Sequence, residues 1–439
     1  MSYELIAVLM FSTMLLMMLT GQRVFGAIGF VAVVAAIALW GPGGSDMGYS
    51  SIMKLMKWNA LLTLPMFVFM GYVMSESRLA EDLYKMFYVW FGPLPGGLAI
   101  GTIMLMVMIS AMNGLSVAGM AIGATIALPE LLKRNYDKLM ISGVIQGGSS
   151  LGILIPPSVV MVLFAQIARQ PVSQLWLAGV MPGLLMAVLF VIYIAVRCSL
   201  NPALAPAMSA EDRAAITWGE RIRLLRAALL PIVIFASMMI PFVKGWTSLT
   251  EASVIGALTA VAAAVIKGRF TREVFETATR STLAITVMFM LIIMAALSFG
   301  AVFDGLGAGR AIENFFLRDL GLGAWEVLIL MQLSFLVMGM FLDDTAMLVI
   351  VAPIYVGLAQ ALGFDLIWYG VLYTITCQIA YLTPPFGYNL FLMRAMAPPD
   401  FTLPLIYRSV FPFVLVMLLT LILVMIFPQI ALWLPEKLL

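Results

Sequence analysis

The sequence lacks histidine and has little charge. Its 439 residues include no His, two Cys and 10% charged side chains, with 24 Lys and Arg against 22 Asp and Glu. Without histidine there is no side chain that ordinarily titrates near neutrality and no imidazole metal ligand. Two cysteines far apart, Cys198 and Cys377, argue against a disulfide framework. No G-x-x-x-x-G-K-[ST] motif is present, so ATP hydrolysis by that route is excluded. The net charge of +2 excludes a nucleic-acid partner.

Apolar residues are what the chain has in abundance. They make up 63% of it, and the mean hydropathy is +1.08. A transmembrane helix needs roughly 20 apolar residues, and the sequence predicts an all-α polytopic protein in a lipid bilayer. The predicted full spans are 3–20, 24–40, 58–76, 139–168, 177–197, 227–243, 250–266, 281–302, 366–393 and 409–427.

Two further apolar stretches, 94–132 and 324–362, are each nearly twice as long as one span. Both carry a polar interruption in the middle. Each stretch is either a pair of crossing helices or a re-entrant hairpin with its tip at the membrane midplane. The interrupting residues are Ser110, Asn113, Gly114 and Ser116 in the first stretch, and Asp343, Asp344 and Thr345 in the second.

The distribution of charge predicts the orientation. Loops 197–226 and 267–280 are rich in Lys and Arg, which places them in the cytoplasm, and both termini then fall in the periplasm. Tryptophans at the predicted outer ends, including Trp176 and Trp368, suggest an aromatic belt at the membrane interface. The first span lacks a basic leader and a small-residue cleavage site, so we interpret it as retained.

An internal repeat divides the chain. Asp137 precedes Pro156-Pro157 by 19 residues, Asp365 precedes Pro384-Pro385 by 19 residues, and the two motifs are offset by 228 residues. Each half has five full spans and one double stretch, and this odd number of spans predicts an inverted-topology repeat. The predicted first repeat is 1–198 (scaffold 3–76, hairpin 94–132, broken span 139–168, final span 177–197). An amphipathic linker, 199–226, leads to the second repeat, 227–439 (scaffold 227–302, hairpin 324–362, broken span 366–393, final span 409–427).

The Pro-Pro pairs predict that two spans are broken. Proline inside a helix is unfavourable by about 3 kcal/mol or more, and unwound backbone at membrane depth survives when it is buried or lines a cavity. Freed carbonyl groups suit Na⁺, while the N-terminus of the following half-helix suits a carboxylate. Asp343 and Asp344 are each unfavourable by about 2.5–3.5 kcal/mol at membrane depth, which marks them as a candidate functional site.

Several motifs resemble the large membrane subunit of TRAP (tripartite ATP-independent periplasmic) transporters. They are Leu-Gly-Ile-Leu-Ile-Pro-Pro-Ser at 151–158, Thr-Glu-Ala at 250–252 and Leu-Thr-Pro-Pro-Phe-Gly-Tyr-Asn-Leu-Phe at 382–391. The resemblance implies an elevator-type fold of the ion-transporter superfamily with two re-entrant hairpins. It also implies a Na⁺-coupled importer of an organic acid, such as a C4-dicarboxylate or a sugar acid, rather than an enzyme. Its expected partners are a small four-helix membrane subunit and a periplasmic substrate-binding protein, and its expected place is the bacterial inner membrane.

The resemblance also implies a set of site residues with two or more Na⁺ sites. One site would join the first hairpin tip to the first break, through Ser110, Asn113, Gly114, Ser116, Gly147, Gly148, Gly152 and Pro156. The other would join the second tip to the second break, through Asp344, Thr345, Thr383, Pro384 and Gly387. Substrate would lie between them, at Ser158, Gly152, Thr383, Gly387 and Asn389. The tips depart from the family pattern: Asn113-Gly114-Leu115-Ser116 stands for Ser-Gly-Ser, and Asp343-Asp344-Thr345 stands for Asp-Pro-Thr.

Two other functions are compatible with parts of this pattern. A stand-alone transporter of the same fold would couple carboxylate movement to H⁺ or Na⁺, with Asp343 or Asp344 as the proton site. An intramembrane aspartyl protease would also need two acids. The protease is disfavoured because such enzymes carry their acids on separate elements, whereas these two are adjacent.

Overall fold

The structure is a computed structural model that describes residues 2–439 except 115, 209–215, 316–320, 343 and 385–386. The described part is nearly all helical, which confirms the predicted class. Asp343 and Pro385, both of interest in the sequence, lie outside the described residues. For Asn113, Asp344 and Thr345 the backbone alone is described.

The helices follow one another with short connections. In the first part of the chain they are α1 (Tyr3–Leu19), α2 (Val24–Ala35), α3 (Gly44–Leu55), α4 (Thr63–Glu76), α5 (Leu79–Phe91), α6 (Gly97–Asn113), α7 (Ser116–Ile122), α8 (Leu128–Lys133), α9 (Lys138–Ser150), α10 (Val159–Ala168) and α11 (Val172–Leu200). The rest are α12 (Trp218–Leu224), α13 (Arg226–Val243), α14 (Leu249–Ile266), α15 (Arg272–Gly305), α16 (Ala308–Asn314), α17 (Ala324–Gly339), α18 (Asp344–Ala361), α19 (Leu366–Ala380), α20 (Tyr388–Met396), α21 (Leu403–Ile426) and α22 (Gln429–Leu438). A π-helical segment, Ala36–Trp40, extends α2, and another, Gly123–Ala127, joins α7 to α8.

The predicted spans match these helices closely, and both predicted broken spans are interrupted. Five helices, α3, α5, α12, α16 and α22, have no counterpart among the predicted spans, and α12 lies in the predicted amphipathic linker. Five helical stretches of the described chain are long and apolar enough to cross a membrane, and several shorter apolar helices accompany them. The protein is therefore an integral membrane protein, because this much apolar helix cannot be covered by the chain itself.

The helices form two bundles. The first bundle, α1–α4 with α13–α15, packs around α15, which contacts α2, α3 and α4. The second bundle, α6–α11 with α17–α22, packs around α9, α19 and α21. Phe413 of α21 fits against two glycines of α9: a Cβ added at Gly143 or at Gly147 would lie 2.5 Å from the Phe413 ring. These glycines let α9 and α21 approach closely.

Helix α5 leaves the first bundle and packs on α6 of the second. The chain turns at Arg78, whose φ of 55° is left-handed. The Arg269 guanidinium donates hydrogen bonds to the Arg78 carbonyl oxygen at 2.9 Å and to both carboxylate oxygens of Asp82 at 3.2 Å. Lys267 also contacts Asp82, at 3.2 Å. This ion-pair cluster fixes the start of α5 against the α14–α15 loop, so the two basic segments around residues 78–85 and 267–280 lie on the same face.

The repeat motif has the same local structure in both halves. Asp137 caps α9, and its side chain accepts hydrogen bonds from the backbone N–H groups of Leu139 and Met140. Asp365 caps α19 in the same way, through Ile367 and Trp368. Each aspartate satisfies backbone donors that have no partner within the helix.

The predicted aromatic belt is wrong for two of its tryptophans. Trp176 is fully buried, and its indole N–H donates to the Ser158 carbonyl oxygen at 3.1 Å. Trp368 is also buried and donates to the Val424 carbonyl oxygen at 2.8 Å. Position near the end of a span does not show which side of the helix faces the protein. The Trp368 ring packs within the second bundle against Trp325, whereas the Trp176 ring packs against Phe67 and Phe242 of the first bundle, so neither ring meets lipid headgroups.

Candidate functional site

The first broken helix runs from α9 to α10. A 3-10 turn, Leu151–Ile153, ends α9, and a bent, non-helical segment containing Pro156 and Pro157 leads to α10. Ser158 caps α10: its hydroxyl accepts from the Met161 N–H and donates to the Ile153 carbonyl oxygen. The whole break is buried, so the proline-induced gap is closed by the chain's own polar groups.

The turn at the end of α6 lies against this break. Gly114 has a φ of +64°, and a Cβ there would sit 1.9 Å from the Pro157 carbonyl oxygen. The Val159 N–H donates to the Gly114 carbonyl oxygen at 3.4 Å. Glycine is required here because a side chain would meet the backbone and the φ is left-handed. The first tip and the first break thus form one packed unit.

The second half repeats the arrangement with different residues. Helix α19 ends at Ala380, and α20 begins at Tyr388. Gly339, at the end of α17, packs on this break, since a Cβ there would lie 2.5 Å from the Ala380 Cβ. Thr383 donates its hydroxyl to the Ile379 carbonyl oxygen at 2.6 Å, and the Gly387 N–H donates to the Thr383 carbonyl oxygen at 3.3 Å.

Buried hydrogen bonds join the two halves. The Gln378 amide N–H₂ donates to the Ser150 carbonyl oxygen at 2.8 Å, and the Tyr381 hydroxyl reaches the same oxygen at 3.3 Å. The Asn389 amide donates to the Ser116 hydroxyl at 2.7 Å. The second break therefore contacts the end of α9 and the first residue after the α6–α7 tip.

A cavity of about 480 Å³ lies beside this junction, between the two bundles. The first bundle contributes α2 and α15, whose lining residues are apolar apart from Arg23. The second bundle contributes polar and aromatic groups. The full lining is Arg23, Val24, Phe25, Ser116, Val117, Ile153, Ala284, Val287, Met288, Phe289, Leu291, Ile292, Tyr381, Tyr388 and Asn389. A cavity of this size holds a small molecule.

Two of the predicted site residues, Ser116 and Asn389, line the cavity. The remaining described ones lie outside its lining, either within α9 or at the tips and breaks. Gly147 packs on Phe413 and Gly148 on Met106, while Gly152 lies in the buried 3-10 turn. Ser110 and Pro156 are buried beside the first tip, and Thr383, Pro384 and Gly387 form the second break. Their roles in binding Na⁺ or substrate remain predictions.

Three of the five polar residues that line the cavity, Arg23, Tyr381 and Tyr388, were not foreseen from the sequence. Tyr381 and Tyr388 flank the Thr-Pro-Pro-Phe-Gly motif, and aromatic residues on both sides of a break were a usable signal. Arg23 precedes a predicted span as an ordinary flanking cation would. Nothing in the sequence indicates that Arg23 lines the same cavity as Asn389, which lies more than 360 positions later in the chain.

Paired helix breaks that meet beside one cavity in a bundle of apolar helices define the class, an integral membrane transporter. The chain belongs to the TRAP transporter family of large permeases: the family model described as "Tripartite ATP-independent periplasmic transporter, DctM component" matches residues 11–430. Proteins of this family are transporter components and not enzymes. They work with a small membrane subunit and a periplasmic binding protein.

Characterised relatives differ in their named substrates. The chain is 30% identical to the C4-dicarboxylate TRAP transporter large permease protein DctM of Pseudomonas aeruginosa, over 86% of each chain. It is 27% identical to the ectoine/5-hydroxyectoine TRAP transporter large permease protein UehC of Ruegeria pomeroyi, over 98% of this chain and 99% of the relative. The crystal structure of the Alcanivorax borkumensis YdaH transporter is similar in fold, with a TM-score of 0.61, 15% identity and 90% of each chain covered.

Proposed function

We propose that this chain is the transport subunit of a Na⁺-coupled importer of an organic acid. A periplasmic binding protein would deliver the acid, and a small four-helix membrane subunit would accompany the chain in the bacterial inner membrane, with both termini in the periplasm. One observation supports the proposal: the first tip and the second break meet at Ser116 and Asn389, on a cavity that Arg23 also lines. A cation in a largely apolar wall favours an anionic substrate.

The two bundles support an elevator mechanism. In the proposal the first bundle is the fixed scaffold, and the second is the moving domain that carries both tips and both breaks. The second tip, Gly339–Leu342, lies beside Met18, Leu19 and Gln22 at the α1–α2 turn, where they line a smaller cavity together. The charge pattern of the sequence assigns that turn to the cytoplasmic side. The conformation is then inward-facing, with the moving domain displaced toward the cytoplasm.

The packing of tips on breaks supports coupling to Na⁺. Gly114 lies against Pro157 and Gly339 against Ala380, so a cation held between each tip and its break would stabilise both contacts. Unwound backbone carbonyls are established ligands for Na⁺ in transporters with broken helices. The inverted repeat, with Asp137 and Asp365 as equivalent helix caps, would provide two such sites.

Uptake into proteoliposomes tests the proposal. The chain would be reconstituted with its small subunit and assayed with succinate, a sialic acid, 2,3-diketo-L-gulonate and the zwitterion ectoine. Each compound would be tested with and without an inward Na⁺ gradient and a binding protein. We expect uptake of one acid to require both. Equal uptake without a Na⁺ gradient would contradict the coupling, and uptake without a binding protein would favour the stand-alone transporter.

A variant pair sharpens the test of Na⁺ coupling. Asp344→Ala at the second tip should reduce the dependence of uptake on Na⁺, with a rise of at least tenfold in the half-saturating Na⁺ concentration. Asp46→Ala changes an exposed acid in the first turn of α3 and should leave that concentration unaltered. An unchanged Na⁺ dependence in Asp344→Ala would remove this residue from the coupling site.

A further inference from the structure

Arg23 differs from every other described residue that lines the cavity between the two bundles. Its side chain is positively charged, while the other lining residues have uncharged side chains that are apolar or that carry a hydroxyl or an amide group. It lies immediately before α2, in extended backbone with φ −63° and ψ 138°. Within the described ranges, the ion pairs that form all lie elsewhere and leave the Arg23 guanidinium without a carboxylate neighbour.

The start of α2 adds to the positive potential. No side chain caps this helix, and Val24 and Phe25 of its first turn line the cavity with Arg23. The N–H groups of a first helical turn have no partners within the helix and carry partial positive charge. Arg23 itself is exposed, and an anion beside it would meet a guanidinium and backbone donors together at the mouth of the cavity.

Opposite Arg23 the cavity is lined by the second bundle, through Ser116, Tyr381, Tyr388 and Asn389. Asn389 uses its amide N–H₂ to bind Ser116, and both side chains are buried. The neutral polar wall and the cationic wall thus belong to different bundles. A molecule that fills the cavity would contact both walls.

We propose that Arg23 binds a carboxylate of the substrate from the scaffold side in the conformation described here. The inference rests on the proposed function and identifies a binding residue outside the tips and breaks. Arg23 belongs to the first bundle and would stay in place while the second bundle moves, so the contact exists in one end state of the cycle. Substrate bound to Arg23 stabilises that state, because a ligand favours whichever conformation it binds more tightly.

A charge-replacement experiment tests this assignment. Arg23→Cys would be reconstituted with the small subunit and binding protein and treated with one of two methanethiosulfonate reagents, which add an ethylammonium or an ethylsulfonate group. The native thiols, Cys198 and Cys377, are buried, so background labelling should be low. Arg272→Cys is the matched control, because this arginine of α15 is 92% exposed and lies outside the cavity lining.

We expect Arg23→Cys to take up the transported acid at least tenfold more slowly at low substrate concentration. The ethylammonium group should restore part of the uptake, and the ethylsulfonate group should restore none. The transported acid should also slow labelling of Arg23→Cys and leave labelling of Arg272→Cys unchanged. Size-exclusion chromatography and thermal denaturation of each variant would establish that it is folded.

Wild-type rates of uptake by Arg23→Cys, or equal rescue by both reagents, would overturn the assignment. So would an equal loss of uptake in Arg272→Cys, which would show a general effect of cationic residues on this face. If the wild-type protein transports no acid of the panel, the proposed function fails, and this inference fails with it. Transport by the wild type combined with an unimpaired Arg23→Cys refutes the role of Arg23 alone.

Discussion

The Asn389 side-chain amide donates a hydrogen bond of 2.7 Å to the Ser116 hydroxyl, across 273 residues of sequence. Asn389 lies in the first turn of the half-helix after the second break, and Ser116 begins the helix after the first tip. Both side chains are buried, so water does not compete for the bond. Both halves of the chain therefore contribute to the wall of the cavity.

Removal of this bond should impair transport more than folding. Asn389→Ala leaves the Ser116 hydroxyl buried without its partner, which is unfavourable by about 1–3 kcal/mol. We expect uptake to fall tenfold or more and the melting temperature to fall only slightly. Asn201→Ala, at an exposed position after α11, is the control and should match the wild type. In a double-mutant cycle with Ser116→Ala, additive effects on uptake would count against coupling between the two residues.

The first tip should not tolerate a side chain at Gly114. Gly114→Ala combines left-handed strain of about 1–2 kcal/mol with a Cβ that would meet the Pro157 carbonyl oxygen. We expect uptake to be lost and the tip to become accessible to protease. Gly245→Ala isolates the strain, because Gly245 has a φ of +71° with no atom within 4 Å of an added Cβ. Similar losses in both variants would mean that strain, and not contact with the break, dominates.

The contact between α9 and α21 should be sensitive to a single methyl group. Gly147→Ala would place a Cβ 2.5 Å from the Phe413 ring, so we expect a fall of several degrees in melting temperature. Phe413→Leu removes ring atoms at this point and should recover part of the loss when combined with Gly147→Ala. Gly357→Ala is the control, because its Cβ would have open space and alanine favours the helix by about 1 kcal/mol. An unaltered melting temperature for Gly147→Ala would disprove the close packing.

The ion-pair cluster at the start of α5 should affect the rate of the conformational change. Arg269→Gln removes two hydrogen bonds to Asp82 and one to the Arg78 carbonyl oxygen. Half-exposed ion pairs contribute about 0.2–1 kcal/mol each, so the fold should persist while uptake changes severalfold. Glu276→Gln breaks the exposed pair with Arg272 on the same helix as a control. Equal uptake rates in the two variants would show that the cluster does not affect the conformational change.

The sequence predicts the helices well because apolar runs and proline breaks act locally. The predicted spans and both interruptions have counterparts in the structure, and the paired motifs at Asp137 and Asp365 cap equivalent helices. Family motifs also led to the correct family. Apolar runs, proline pairs and family motifs each lie within a short stretch of chain, so they can be recognised from residue type and spacing alone.

The roles of individual side chains are less predictable. Ser158 has the chemistry of a substrate ligand, yet its hydroxyl is used in capping α10. Trp176 lies near a span end and is fully buried. Arg23 flanks a span, as an ordinary interfacial cation does, and it also lines the cavity. Each outcome depends on contacts between distant segments, which periodicity and composition do not encode.

The hydrogen bonds from Gln378 to Ser150 and from Asn389 to Ser116 have a consequence for biosynthesis. Each joins segments more than 220 residues apart. Ribosomes add roughly 5–20 residues per second, so the first break waits many seconds for its partner to be made. During that interval the unwound backbone around Pro156 must stay hydrated or shielded by the insertion machinery. Nascent chains truncated before residue 378 are therefore expected to expose this segment to quality-control proteases.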